Sequence, residues 1–275
     1  MKPNEIERIE VDLLLEAIYR RYGYDFRSYA RASIERRIRR FLSIKRIERV
    51  SDLVPLCLHD EEMFADLAQS FSIAVTDMFR DPFVYKTLRE QIVPILRTFP
   101  SLKIWHAGCA TGEEVYSLAI VLFEEGIYKR CTIFGTDFND DALSKAREGI
   151  YAAERVQEFT RNYQEAAGNH SFSDYYRAKY DSAALDGSLK ERITFANHNL
   201  TTDQVFGEMH LVFCRNVLIY FNRDLQNRAL RLFTDSLVRG GFLCLGTKED
   251  LRFSAVADEY EVVDRAARIY KKKVR

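Results

Sequence analysis

The chain has 275 residues, 47% of them apolar and 30% charged, enough to bury one large core or two modest ones, so disorder is excluded as its main state. Its 41 Lys and Arg balance 41 Asp and Glu, and a neutral chain carries no bulk field to draw it to nucleic acid or to an anionic membrane. The balance is uneven. Residues 1–50 hold 13 basic side chains against 8 acidic ones, and the stretch Arg20–Arg49 holds 11 against 3, which leaves one basic end and an acidic remainder.

Five cysteines (Cys57, Cys109, Cys131, Cys214, Cys244) are odd in number, widely spaced and free of any C-x-x-C pair. Neither a disulfide framework nor a zinc ribbon is expected, and a reducing cytoplasm fits them. The histidines lack the H-x-x-x-H spacing that sets two imidazoles on one metal, so no metal is expected. Apolar runs such as Val217–Phe221 fall far short of the roughly 20 residues of a bilayer span, and the amino terminus lacks the apolar core of a signal peptide. Membrane insertion is not expected.

Ile6, Ile9, Leu13 and Ala17 recur at helical spacing, and Ile34, Ile38, Phe41 and Leu42 repeat the pattern within the basic stretch; a small all-helical domain over residues 1–71 follows. Residues 72–99 read as a linker and a connecting helix, opened by Asp81 as N-cap and Pro82 at the first helical position. From Pro100 short apolar runs alternate with helical ones. Strands are predicted over 102–107, 131–136, 193–197, 210–214 and 242–246, and helices over 114–125, 140–147 and 225–238. Two further strands, 259–263 and 267–272, have no helix between them. The pattern predicts an α/β domain over residues 100–275, a parallel sheet with crossover helices and an antiparallel hairpin at one end. Between Tyr151 and Arg192 the alternation lapses, which is long for a connection and predicts an inserted element. Its Tyr175, Tyr176 and Tyr180 suit a contact surface or a small core of their own.

In open parallel sheets ligands bind outside the carboxyl ends of the strands. The loop after the first predicted strand reads Gly108-Cys109-Ala110-Thr111-Gly112-Glu113-Glu114. Its glycines allow a tight turn and close backbone approach to a ligand. A dinucleotide site wants G-x-G-x-x-G and a bare helix amino terminus facing a pyrophosphate, whereas here two carboxylates occupy that terminus and repel a phosphate. They suit a cationic, phosphate-free ligand, which describes the sulfonium S-adenosylmethionine. The second strand ends in Gly135-Thr136-Asp137, where an acid in this architecture accepts hydrogen bonds from ribose hydroxyls.

These residues carry a resemblance. Thr76-Asp77-Met78-Phe79-Arg80 looks like T-x-F-F-R, and Ala107 to Ser117 is similar to A-G-C-S-T-G-E-E-P-Y-S. Phe213-Cys214-Arg215-Asn216-Val217-Leu218-Ile219-Tyr220-Phe221 matches F-C-R-N-V-L-I-Y-F. The sequence resembles the CheR family of S-adenosylmethionine-dependent protein-glutamate methyltransferases of bacterial chemotaxis. The resemblance implies a seven-stranded Rossmann-like methyltransferase domain, an N-terminal all-helical domain and a small inserted β subdomain, here 155–192. It also implies cofactor contacts from Thr76, Arg80, Gly108, Glu113, Asp137, Asn199, Leu200, Asn216 and Val217, with Arg80 and Tyr220 nearest the transferred methyl. The chain departs from the pattern at Ala74, where the family usually has Asn or Ser, and at Gly246-Thr247-Lys248-Glu249, which replaces G-H-S-E.

The expected reaction gives a glutamate methyl ester and S-adenosylhomocysteine. A glutamate with a reference pKa near 4.3 is already an anionic nucleophile at neutral pH, so in-line placement replaces a general base. The expected partner is an acidic helical region of a chemoreceptor-like protein, met by Arg31, Arg36, Arg37 and Arg40 on a basic helix. After the fourth strand Arg215-Asn216-Val217-Leu218 lacks the prolines of the D/N/S-P-P-Y motif of amino-group methyltransferases, which argues against a nucleic-acid base as acceptor. The alternatives are a cofactor-binding adaptor without turnover and a methyltransferase acting on another protein or on RNA.

Overall fold

The computed structural model describes residues 3–71, 76–205 and 207–274. The chain divides into two compact units. The first comprises Met1–Ile73, Thr201–Asp203 and Leu218–Ala229, and its helices are α1 (Pro3–Tyr22), α2 (Arg31–Lys45), α3 (Val50–His59) and α4 (Glu61–Phe71). Ile34, Ile38 and Phe41 of α2 turn inward and are buried as their spacing implies, whereas the inward face of α1 is Val11, Leu14 and Ile18, and the stripe Ile6, Ile9 and Leu13 is exposed.

Arg37 lies one turn from both Ile34 and Phe41, so it shares the inward face. It is buried, and its guanidinium donates to the Ser70 and Phe71 carbonyls at 3.0 and 2.9 Å. The expectation that Arg37 joins an exposed basic face is therefore corrected: its cation holds the end of α4. Arg31 is tied to Asp12 and Glu35, whereas Arg36 and Arg40 are exposed and have no ion pair among the described residues. Tyr220 also belongs to this unit. The Ala30 amide donates to its carbonyl at 2.7 Å, Asn222 donates to Ser28 at 2.9 Å, and Tyr29 bridges Phe221 antiparallel. The Arg37 guanidinium lies 5.3 Å from the centroid of the Tyr220 ring.

The second unit is built on a seven-stranded sheet of β1 (Leu102–Ala107), β2 (Cys131–Asp137), β6 (Ile193–Asn197), β7 (Met209–Cys214), β8 (Leu237–Leu245), β9 (Tyr260–Asp264) and β10 (Ile269–Lys272) in the order β6-β2-β1-β7-β8-β10-β9. The β6, β2, β1, β7 and β8 pairings are parallel and β10 runs antiparallel to both its neighbours. The crossover helices are α7 (Glu113–Glu124) and α8 (Asp140–Glu148), and α10 (Arg223–Ser236) runs straight into β8. The strand thus takes Leu237 and Val238, both expected in the helix; β-branched Val238 and the pair Gly240-Gly241 suit extended chain better than another helical turn. The connecting helix is also interrupted: α5 (Pro82–Thr87) and α6 (Val93–Leu96) flank a π turn at Leu88–Ile92, where Pro94 has no amide to give the preceding turn.

A second sheet, β3-β5-β4, joins β3 (Ile150–Ala152), β4 (Tyr176–Lys179) and β5 (Ser182–Leu185), with α9 (Val156–Glu165) between its first two strands. Its first strand precedes residue 155, and the inserted stretch carries a helix as well as strands. Glu124 fastens it. This side chain is fully buried at the end of α7 and accepts from Tyr163, from Tyr175 at 2.7 Å and from the buried Arg89. Of the insert's tyrosines Tyr175 is core, while Tyr180 at the hairpin tip is 90% exposed. Burial alone would raise the Glu124 carboxyl, but the Tyr163 and Tyr175 hydroxyls and the Arg89 charge outweigh it and hold the group below its ordinary value.

Glu124→Ala leaves the buried Arg89 with Glu125 as its remaining ion-pair partner, at 3.3 Å, and strips the Tyr163 and Tyr175 hydroxyls of their acceptor, and should cost about 2–3 kcal/mol in urea unfolding. Because the folded-state value is lowered, this stabilisation is complete above the ordinary glutamate range and fades as pH falls through the folded value. Wild-type stability should therefore drop more steeply on acidification than that of Glu124→Gln, measured as unfolding free energy from pH 7 to pH 3.

Candidate functional site

The chain order reverses between β1 and β7: from β1 it proceeds through β2 to β6 on one side and through β7 and β8 on the other. A switch point of this kind opens a crevice outside the carboxyl ends of the strands. Gly108 follows β1, Asp137 ends β2, Asn199 and Leu200 follow β6, and Asn216 and Val217 follow β7. Those expected cofactor residues therefore come from four neighbouring strand ends of one unit, and Thr76 and Arg80 from the segment before α5 lie in the same unit. Tyr220 packs in the other unit.

The glycine loop is shaped by its own backbone. Gly108 and Cys109 both donate to the Thr136 carbonyl, at 2.8 and 2.9 Å, and Ala110 donates to the Asp137 carboxylate at 2.9 Å. Gly108 and Gly112 adopt φ +71° and +89°, and a β-carbon on Gly108 would come within 2.4 Å of Val217 Cγ2. Asp137 is buried and accepts the Ala110 and Asn139 amides, one on each oxygen, with the Phe138 amide as a third donor. A carboxylate offers about four acceptor positions, so capacity remains for a ribose hydroxyl. Burial raises the Asp137 carboxyl, and the amides draw it back.

The two loop acids do not act together. Consecutive residues of a helix point in different directions, and Glu113 and Glu114 open α7 side by side. Glu114 turns away from the loop into a buried cluster, accepting from Tyr85 at 3.2 Å and from Arg215. Glu113 is buried, accepts from Thr111 at 2.6 Å and pairs with Arg155 at 2.9 Å; burial raises its carboxyl against the pull of Thr111 and Arg155. The expectation of two carboxylates presented to one cation is corrected to one, Glu113, already balanced by a guanidinium.

Arg215 is the centre of that cluster. Its side chain is fully buried and reaches Glu114, Asp81 at 2.5 Å and the Arg80 carbonyl at 3.0 Å. Asp81 stands at the expected N-cap position of α5, but its carboxylate is spent on the ion pair and makes no side-chain cap. Phe79 and Asp81 both have φ of 52°, with Ala110 at 48° and Asn216 at 59°; these left-handed conformations cost non-glycine residues of order 1–3 kcal/mol each. These four, of eight left-handed non-glycine residues among the described residues, lie on the segments that carry the expected ligand residues. Between the first two the Arg80 guanidinium has no hydrogen bond or ion pair among the described residues. Glu249 was not singled out as functional, yet its carboxylate accepts the Asn216 and Gly246 amides at 3.1 and 2.6 Å and fixes the turn after β7. Ala74 lies outside the described residues.

Two buried polar atoms, Thr76 Oγ1 and Asn216 Oδ1, lack a hydrogen-bond partner among the described residues. A ligand with polar edges would satisfy both. With the glycine cradle and the spare acceptor capacity of Asp137 they fit S-adenosylmethionine. No group of three or more His, Cys, Asp or Glu among the described residues could hold a metal, and none of the described helices is long and apolar enough to cross a membrane.

Fold and site together define a methyltransferase of the Rossmann-like class that uses S-adenosylmethionine. Residues 74–268 match the CheR methyltransferase, SAM binding domain, and residues 9–72 match the CheR methyltransferase, all-alpha domain; the chain belongs to the CheR methyltransferase family. It is 51% identical to the Pseudomonas putida protein Cher3 over 264 residues, 96% of this chain and 97% of that one. A chemotaxis protein methyltransferase of Listeria innocua is 28% identical over 250 residues, 90% of this chain and 92% of that one. An uncharacterized 104.1 kDa protein of Rhodobacter capsulatus is 31% identical over 254 residues, of which this chain spans 90% of its own length and 26% of the relative's.

Gly108→Ala should push Val217 out of place and weaken S-adenosylhomocysteine binding by at least about tenfold in calorimetry. Arg215→Met should cost about 3–5 kcal/mol of stability, because it leaves the Glu114 carboxylate buried and unpaired; a urea midpoint equal to wild type would overturn that account.

Proposed function

We propose that the protein transfers methyl groups from S-adenosylmethionine to glutamate side chains of an acidic helical segment in a chemoreceptor-like signalling protein. The observation that carries this reading is the Arg80 guanidinium, held between two left-handed residues and making no hydrogen bond or ion pair among the described residues. A planar guanidinium offers a fork that fits a carboxylate in two parallel hydrogen bonds. That carboxylate is either the cofactor's own or the acceptor glutamate's. The bound cofactor supplies an electrophilic methyl, and an ionised glutamate needs no proton removed before it attacks. What the chain must do is orient the acceptor and exclude water, and no site residue has to serve as a base. Relatives named chemotaxis protein methyltransferases support the acceptor class. We assign the acceptor's docking to the exposed Arg36 and Arg40, and the second oxygen of its carboxylate to the Tyr220 hydroxyl. The proposed substrate and the free cysteines favour a cytoplasmic reaction.

The test is incubation with methyl-labelled S-adenosylmethionine and acidic receptor helices, followed by base treatment. Released labelled methanol is the expected result; tight cofactor binding with no ester on any acidic helix would favour the adaptor reading instead. Arg80→Ala should lower kcat/KM by about a hundredfold or more. Between pH 6 and 8 the rate should be flat with respect to acceptor ionisation, falling only as pH approaches the glutamate range from above; a rate that rose with a base of pKa near 7 would contradict an ionised acceptor.

A further inference from the structure

Arg155 stands at the end of the 3-10 turn Ala153–Arg155 that leads into α9, and neither the sequence motifs nor the family resemblance gives it a part. Its guanidinium meets three acceptors from two separate stretches of chain: Glu113 Oε1 at 2.9 Å, the Thr76 carbonyl at 2.5 Å and the Asp77 carboxylate. The guanidinium carbon lies 4.8 Å from the centroid of the Phe159 ring, which is buried one turn further along the same helix. Asn162 of α9 adds a bond to the Met78 carbonyl at 3.1 Å, and Ser117 of α7 accepts the Phe79 amide at 2.8 Å. The stretch from Thr76 to Arg80 has no helix or strand of its own, so these side chains from α7, α9 and the turn before α9 set its course.

We infer that Arg155 is a positioning residue for the cofactor: it clamps the glycine-loop acid to the segment that presents Thr76 and Arg80. Without the guanidinium, Glu113 and Asp77 are two carboxylates converging on one place, so its loss removes a link and adds a repulsion. Five donors in a rigid fork can serve three acceptors at once, which the point charge of a lysine cannot. The inference rests on the cofactor and not on the identity of the acceptor.

The experiment titrates S-adenosylhomocysteine into wild-type, R155Q, R155K, D77N and D77N/R155Q proteins by calorimetry, with the unfolding midpoint of each measured in parallel. R155Q should weaken binding by about tenfold to a hundredfold, the loss expected for hydrogen bonds to charged groups. R155K should recover only part of it, and R155Q should cost less in the D77N background, where the repulsion is already gone. A residue that merely held the fold would lower the midpoint and leave Kd of the folded protein unchanged. A folded R155Q protein with wild-type Kd overturns the inference and leaves the methyltransferase assignment standing; a wild-type protein that binds no S-adenosylhomocysteine overturns both. If R155Q does not fold, D77N carries the test alone, and an unchanged Kd for it overturns the clamp.

Discussion

A single buried guanidinium governs the geometry of the crevice. Arg215 comes from the end of β7, and its partners come from elsewhere: Glu114 from the first turn of α7, Asp81 and the Arg80 carbonyl from the lead into α5. Taking these charges out of water is costly, and the cluster persists because each charge meets an opposite one, with Arg215 Nε alone of its guanidinium nitrogens lacking an acceptor among the described residues. Burial works to lower the Arg215 proton affinity, and Glu114, Tyr85, Cys244 and Asp81 together more than reverse it, so the cation is retained. What the cluster maintains is strain. Phe79 and Asp81 remain in the left-handed region because the chain on either side of Arg80 is held from below, and that leaves the Arg80 side chain itself uncommitted.

Much of the α/β layer was legible in the sequence because its signals are local. Alternation of short apolar runs with helical ones marks the strands of a helix-covered sheet, and the buried β1 and the half-exposed edge strand β6 both fall on the residues the pattern marks. The glycine loop and Asp137 were legible for the same reason, since a switch point makes strand ends into ligand positions. Other features were not local. That Glu114 faces Arg215 while Glu113 faces Arg155 depends on residues 101 and 42 positions away, and no spacing rule reaches that far. Arg37 is different: its position one turn from Ile34 and Phe41 already places it on the apolar face, and reading it as solvated gave its charge more weight than its period. Glu249 could have been singled out from the loop after β8, where the acid is kept although the two residues before it differ from the family pattern.

The neutral charge of the chain also takes a different meaning. The acidic remainder includes carboxylates spent inside the second unit, Glu114 on Arg215, Glu113 on Arg155 and Glu124 on Arg89. These pairs fix internal geometry and contribute little field outside. The basic excess of the helical unit is likewise reduced from within, by Arg37 on carbonyls and Arg31 on Asp12 and Glu35. Arg36 and Arg40 remain as cations open to an acidic partner.

Sequence families divide this chain near residue 73, but its packing does not follow that line. Leu218–Ala229 lies far along the chain from the amino-terminal helices and packs with them, through the bridge between Tyr29 and Phe221 and the bond from Ala30 to Tyr220. The helical region and the 218–229 stretch are therefore one inheritance unit. A hybrid enzyme that exchanges residues 1–73 between relatives inherits a foreign seat for Tyr220 unless the distant stretch travels with it, and the two stretches are free to diverge only in step.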